Sequence, residues 1–174
     1  DSELAELMVG REVLFETEKQ PVEAGSVGLA ATDLVVEDDR GVRAVDGVAL
    51  AVAEGEVFGI AGVDGNGQSE LVEALTGLRP PVSGRVSLGG DDVTDEPRRQ
   101  RIEDGMAYVP EDRQARGLVM EYDLTENGLL GSQRDRQFAD GGRIRWNDAE
   151  AHAEAIVEEY DVRPADPDAE AVSL

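Results

Sequence analysis

The spacing of apolar positions changes several times along the chain, and each change marks an element. From Val27 to Val36 and again from Val42 to Val52 valine and alanine dominate, with the turn-forming Asp38-Asp39-Arg40-Gly41 between them, which predicts a β-hairpin. Residues 56–61 (EVFGIA) form a short apolar run of the kind that makes a strand buried on both faces. The run ends at Gly62, and a helical period over Ser69 to Leu78 follows in which Leu71, Val72, Leu75 and Leu78 share one face, with a stop at Gly77 or just after, before Pro80-Pro81. Strand, glycine-rich loop and helix therefore succeed one another without a gap.

Beyond the prolines, residues 84–88 (GRVSL) read as an outer strand, 96–104 as a charged helix, 106–109 (MAYV) as a second core strand and 110–117 (PEDRQARG) as the loop that closes it. A helix is expected from Leu124 to Leu130, then a polar, glycine-containing stretch through Gly142. A longer amphipathic helix spans Asp148 to Tyr160, with Asn147 as N-cap, Glu150 three residues on, and Ala149, Ala153, Ile156, Val157 and Tyr160 on one face. At the other end Leu4, Leu7 and Met8 predict a short helix over 2–12, and the aperiodic stretch with Pro21 and Gly25 reads as a linker.

Composition narrows the picture. The 174 residues suit one domain. Acidic residues outnumber basic ones 39 to 16 for a formal charge of −23, and Lys19 is the only lysine. The acidity runs the whole length of the chain beside 40% hydrophobic residues, so it belongs to a folded, charged surface rather than to an acidic tail. Such a charge excludes capture of nucleic acid or of an anionic lipid surface by a basic patch. It suits a high ionic strength, where the Debye length shrinks to a few ångström, and reads as halophilic. With no cysteine, disulfides and thiolate metal sites are excluded. No run of about 18 apolar residues predicts direct membrane insertion.

The chemistry concentrates in residues 62–69, GVDGNGQS. A polyphosphate must meet several backbone N–H groups at once; Gly62, Gly65 and Gly67 let the chain curl around it, with Asp64 and Asn66 between them. The following helix adds the positive end of its dipole. Ser69 stands where a hydroxyl would reach a Mg²⁺ shared with the phosphates. Gln68 replaces the lysine of the phosphate loop. The change removes a charge that at ~4 Å and an effective dielectric of ~20 would interact with one phosphate charge by roughly 4 kcal/mol, much of it offset by solvation. The expected site binds nucleotide weakly.

GVDGNGQSELVEALTGL, VSGRVSL, AYVPEDRQARGLV and LTENGLLG, in that order, resemble the nucleotide-binding domain of ABC transporters, and most closely the second ATP-binding domain of fused importer ATPases for simple sugars and nucleosides. The resemblance implies an α/β P-loop fold with a small antiparallel β layer, a parallel core sheet and a partial helical subdomain beginning about residue 122. It implies that residues 1–25 link a preceding domain to residues 26–174, which form the N-terminal part of such a domain, cut before the signature motif. It implies ATP and Mg²⁺ as ligands. Gly62, Asp64, Gly65, Asn66, Gly67, Gln68 and Ser69 then hold phosphates, with Glu70 where many members carry a second hydroxyl, and Ser69 serves Mg²⁺. Glu111 takes the place of the Q-loop glutamine on the metal side, and Arg40 the place of the aromatic that stacks on adenine. No catalytic residue is expected within the chain, because the signature, the Walker B carboxylates with the catalytic glutamate, and the switch histidine all follow later in the family. The partners implied are transmembrane permease subunits and a second nucleotide-binding domain, and the place implied is cytoplasmic, peripheral on the inner face of the cell membrane.

Two other readings stand beside this one: a structural or regulatory half that pairs with an active ATPase domain, and an unrelated P-loop enzyme. Elsewhere the blander reading prevails. His152 reads as a surface or core-edge residue. Arg98, Arg99 and Arg101, flanked by Glu96, Glu103 and Asp104, read as a solvated face. Asp38-Asp39 and Asp91-Asp92 read as acidic turns.

Overall fold

The two valine-rich runs pair as expected. In the computed structural model, which describes residues 25–174, β1 (Val27–Glu37) and β2 (Arg43–Ala53) form an antiparallel hairpin. The helix expected over 2–12 and the linker up to residue 24 lie outside the described residues. Asp38 builds the turn, its carboxylate accepting from the N–H groups of Arg40 and Val42 at 2.9 Å each. β1 also pairs antiparallel with β3 (Ser83–Leu88), and β3 with the short β4 (Asp91–Asp92), giving the order β2-β1-β3-β4.

Alternation in β1 breaks once. Ala31, Leu34 and Val36 are all buried, although the first two are three residues apart. A register irregularity between Ala31 and Leu34, with Asp33 at φ 49°, inserts the extra residue that puts both side chains on the core face. Helix α1 (Gln68–Leu75) covers that face: Leu71, Ala74 and Leu75 close a core with Val36, Val45, Val86 and Val93. Leu78, expected on the same face, lies beyond the helix end and is exposed.

The end of α1 is a Schellman turn. Gly77 at φ 74° lets its own N–H reach Ala74 O at 3.3 Å and the Leu78 N–H reach Glu73 O at 2.8 Å. Arg101 completes it from α2 (Arg98–Glu103) and corrects the expectation of a wholly solvated face. Its side chain is 1% exposed and donates to Ala74 O at 2.9 Å, Leu75 O at 2.7 Å, Thr94 O at 3.0 Å and Glu96 O at 3.3 Å. Burial lowers its pKa, and the partial negative charge of the helix C-terminus faces the guanidinium. Charge spacing along the chain cannot distinguish this arginine from its neighbours.

A second, smaller core joins Leu129, Phe138 and Ala149. It lies where α3 (Leu124–Gly128) meets α4 (Trp146–Glu159), with the two-residue strands β5 (Ala139–Asp140) and β6 (Arg143–Ile144) between them in sequence. His152 sits half-buried at its edge, its ring centroid 5.1 Å from that of Phe138, as a core-edge residue should. The capping box expected at Asn147 and Glu150 is not formed, because α4 starts at Trp146 with Arg145 as N-cap and no side-chain cap. A capping box caps α3 instead: Asp123 accepts from the Glu126 N–H at 2.6 Å, and Glu126 accepts from the Asp123 N–H at 3.2 Å.

The two expected core strands differ from expectation. Among the described residues, neither 56–61 nor 106–109 is part of a ladder, and no strands pair in parallel. Val57 is 98% and Val109 89% exposed. A strand exists only through hydrogen bonds to a neighbour, and the described residues offer these two segments none. Their apolar composition is real; the partners it calls for are not among the described residues.

Candidate functional site

The loop ahead of α1 is set by one close approach. Gly67 is the N-cap of α1 at φ 96°, and a Cβ there would run into the carbonyl of Ala44 in β2. Only glycine meets both demands. A glycine N-cap brings no side chain to accept from the first turn, so the N–H groups of Gln68, Ser69 and Glu70 find no acceptor among the described residues. Three unengaged donors at the positive end of a helix are an anion cradle. Asp64, Gly65 and Asn66 form the exposed turn leading into it, with Gly65 at φ 77°.

Gln68 folds back over the loop. Its Nε2 donates to Val63 O at 3.1 Å, and the amide lies so close to Gly62 that a Cβ there would collide with it. The polar end of the side chain is thus spent on the loop itself. Ser69 is exposed, and Glu70 is half-buried in the first turn of α1.

A groove of about 940 Å³ opens beside α1. It brings together Gln68, Ser69 and Glu70 with Glu111, all expected from the sequence at one metal and phosphate site. The loop residues Gly62, Asp64, Gly65, Asn66 and Gly67 do not line it, and neither does Arg40. Arg40 is bound instead to Asp38, Nε to Oδ2 at 2.9 Å and Nη2 to Oδ2 at 2.7 Å. That hydrogen bond raises the arginine's pKa. The Val42 N–H and the Arg40 guanidinium hold the Asp38 carboxyl below its usual range.

An ionic network on the groove wall carries no signal in the sequence. Glu73, one turn after Ser69 on α1, accepts from Arg79 Nε at 2.9 Å with one oxygen and from Arg116 Nη1 at 2.9 Å with the other. Arg79 also donates to Glu37 O at 3.1 Å and to Asp39 Oδ1 at 2.8 Å. Burial works to raise the pKa of Glu73, and the two guanidiniums outweigh it and hold the carboxyl below its usual value. Six residues separate Glu73 from Arg79, a spacing no continuous helix brings together. The Schellman turn at Gly77 does so by reversing the chain. Arg116 comes from a single π-helical turn, Arg113–Gly117, capped by Asp112, whose carboxylate accepts from the Ala115 N–H at 2.9 Å. Tyr108 also lines the groove and carries the Arg98 guanidinium over its ring at 5.1 Å.

The ABC transporter family profile matches residues 45–171. The chain is 43% identical over 164 residues to the guanosine import ATP-binding protein of Bacillus subtilis, covering 94% of this chain and 32% of that protein. It is 42% identical over 162 residues to the glucose import ATP-binding protein of Haloferax volcanii, covering 93% and 30%. The chain therefore spans about a third of the length of the curated relatives it matches. Among solved structures, a nucleotide-free ATP-binding cassette from an ABC transporter superposes with a TM-score of 0.63 at 24% identity, over 85% of this chain and 59% of that one. A dimeric ATP-binding cassette in a post-hydrolysis state with ADP and Pi gives 0.67 at 18% identity, over 84% and 62%. These likenesses establish the α/β fold of ABC ATPase domains and set aside an unrelated P-loop enzyme. With the family profile and the relatives at 43% and 42% identity in agreement, the chain belongs to the ABC transporter family.

Proposed function

We propose that the chain is part of the ATP-binding component of an ABC importer that energises uptake of a sugar or a nucleoside, the substrates named for its relatives. In this reading residues 26–174 are the N-terminal part of a nucleotide-binding domain, the second of a fused pair, with the helical subdomain starting near 122 and residues 1–25 linking the first. The apolar segments 56–61 and 106–109 are then the places where further strands of the core sheet add. The partners are transmembrane permease subunits and the other nucleotide-binding domain, and the protein works on the cytoplasmic face of the membrane. Among the described residues no helix is long and apolar enough to cross one.

The carrying observation is the uncapped N-terminus of α1. The N–H groups of Gln68, Ser69 and Glu70 suit phosphate oxygens, and the exposed turn Asp64-Gly65-Asn66 leads into them. Ser69 and Glu111, both on the groove, would hold Mg²⁺ together with the phosphates. Bound Mg²⁺ would neutralise phosphate charge. Arg40 offers a guanidinium plane for the base only by leaving Asp38.

Gln68 keeps a donor and lacks a charge, so binding is weak and hydrolysis slight. The second reading, a non-hydrolysing half that pairs with an active domain, is favoured by the same residue, because its amide is engaged with Val63. Calorimetric titration of the intact protein with Mg-ATP in molar KCl distinguishes the two. Heat of binding is expected, and Gln68→Lys should tighten it by about tenfold, the equivalent of ~1.4 kcal/mol. No heat at millimolar nucleotide would leave only the structural half, and an affinity unmoved by the new lysine would refute the phosphate loop.

A further inference from the structure

We propose that Arg116 supplies the nucleotide's phosphates with the positive charge that Gln68 does not, and that Glu73 holds it in place until they arrive. The inference rests on the nucleotide-binding reading above and names a residue that reading leaves out.

Three guanidiniums line the groove, from Arg79, Arg113 and Arg116, and their surroundings separate them. Arg79 is structural. Its side chain is 21% exposed and ties Glu73, the Glu37 carbonyl and Asp39 into one knot. Releasing it would undo the contact between α1 and the β1–β2 turn. Arg113 forms no ion pair among the described residues, and nothing there holds its guanidinium at the phosphate loop. Arg116 combines position with freedom. Its side chain is 61% exposed and bonded through Nη1 alone to Glu73, so its other donors face the groove and solvent.

Glu73 lies four residues after Ser69, and residues so spaced on a helix are about 6 Å apart. An arginine anchored at Glu73 is therefore stationed roughly one helical turn from the hydroxyl and the unengaged amides at the N-terminus of α1. That gap is within reach of its own side chain.

The exchange is favourable on both sides. Exposed ion pairs are weakly held, and Arg79 remains on Glu73 after Arg116 leaves, so no half-buried carboxylate is stranded. On the other side a guanidinium meets phosphate oxygens with paired, charge-assisted hydrogen bonds. Five carboxylates, from Asp39, Glu70, Glu73, Glu111 and Asp112, line the same groove. Without a mobile cation, a polyphosphate there would face more carboxylates than guanidiniums beyond the reach of the amides.

Titration calorimetry of the intact protein with the Mg²⁺ complexes of ATP and ADP, and with AMP, tests this. Arg116→Gln is expected to weaken Mg-ATP binding by about tenfold, ~1.4 kcal/mol, Mg-ADP by less and AMP least. Arg116→Lys should recover most of the loss, and Arg99→Gln, in the exposed Arg99–Glu103 pair of α2, should change nothing. In the Gln68→Lys background the Arg116→Gln penalty should fall below about threefold, because one cation then does the work of the other. Equal penalties in both backgrounds, or equal losses for ATP and AMP with a lowered thermal midpoint, would overturn the proposal and make Arg116 a structural residue. Wild-type binding that ignores Arg116→Gln would sink the arginine's role alone. Absence of any wild-type binding would remove the nucleotide reading, and the role of Arg116 with it.

Discussion

Arg101→Met keeps most of a buried volume and removes every donor in it. Four carbonyls lose a partner: Ala74 and Leu75 at the C-terminus of α1, and Thr94 and Glu96 in the chain leading to α2. The first pair of hydrogen bonds is buried; the others are partly buried, and water can replace them. Ala74 O keeps the Gly77 N–H at 3.3 Å, so its loss is one hydrogen bond at about 0.5–1.5 kcal/mol, while Leu75 O is left unsatisfied at about 1–3 kcal/mol, a loss of about 1.5–4.5 kcal/mol together. Relief of the arginine's own desolvation lowers this, since no carboxylate bonds to its guanidinium. A net loss of about 2 kcal/mol follows. With an m-value of about 2 kcal/mol per molar urea, the urea midpoint should fall by about 1 M at unchanged m. Hydrogen exchange should quicken first at the Gly77 and Leu78 amides, whose bonds close the helix. A midpoint within about 0.3 M of wild type, or above it, would refute the idea that this arginine, rather than apolar packing alone, fastens the site helix to the rest of the domain.

Gly67→Ala should abolish Mg-ATP binding. It sets a Cβ against the Ala44 carbonyl and costs about 1–2 kcal/mol for a left-handed conformation. Titration beside a thermal melt checks this, and an affinity that survives would mean the amides of α1 are not the cradle. Glu96→Gln should stabilise the fold at neutral pH. Burial, with Asp104 beside it, raises the Glu96 carboxyl above its ordinary 4.5, Asp91 adds to the rise and Arg101 opposes it, and its Oε2 is buried without a partner. A raised folded pKa means that the ionised group costs stability, which returns as pH falls through that value. The advantage of the variant in urea midpoint should therefore shrink on acidification, and a constant or growing advantage would refute it.

What the sequence made legible is what local chemistry decides. The hairpin follows from two β-branched runs around an Asp-rich turn, and the glycine turn ahead of α1 from three glycines between an apolar run and a helical period. The unreadable parts depend on partners distant in the chain. Residues 56–61 carry the apolar run of a doubly buried strand, yet a run cannot supply its neighbour, and among the described residues it stays unpaired. Arg101 sits in a string of charges that periodicity assigns to solvent, and only the Schellman turn at Gly77, which brings the last carbonyls of α1 toward α2, makes it a core residue. For α3 the signal is local: Asp123-Leu124-Thr125-Glu126 has capping-box spacing, as Asn147 and Glu150 do, and only at Asp123 does the helix start at the next residue.

The charge of the chain gives these placements their meaning. A polyphosphate approaching a surface of net charge −23 is repelled at long range, and salt shortens that range to a few ångström. Inside it, binding depends on donors that cannot be neutralised: backbone amides at a helix end, and a cation held ready. Glu73 then has two tasks that its geometry keeps apart. One oxygen and Arg79 tie the site helix to the hairpin turn; the other oxygen keeps Arg116 at the groove without sealing it in. A lysine fixed in the loop would need no such arrangement. Because the loop has Gln68, the arginine and its tether are the parts on which recognition of the phosphates turns.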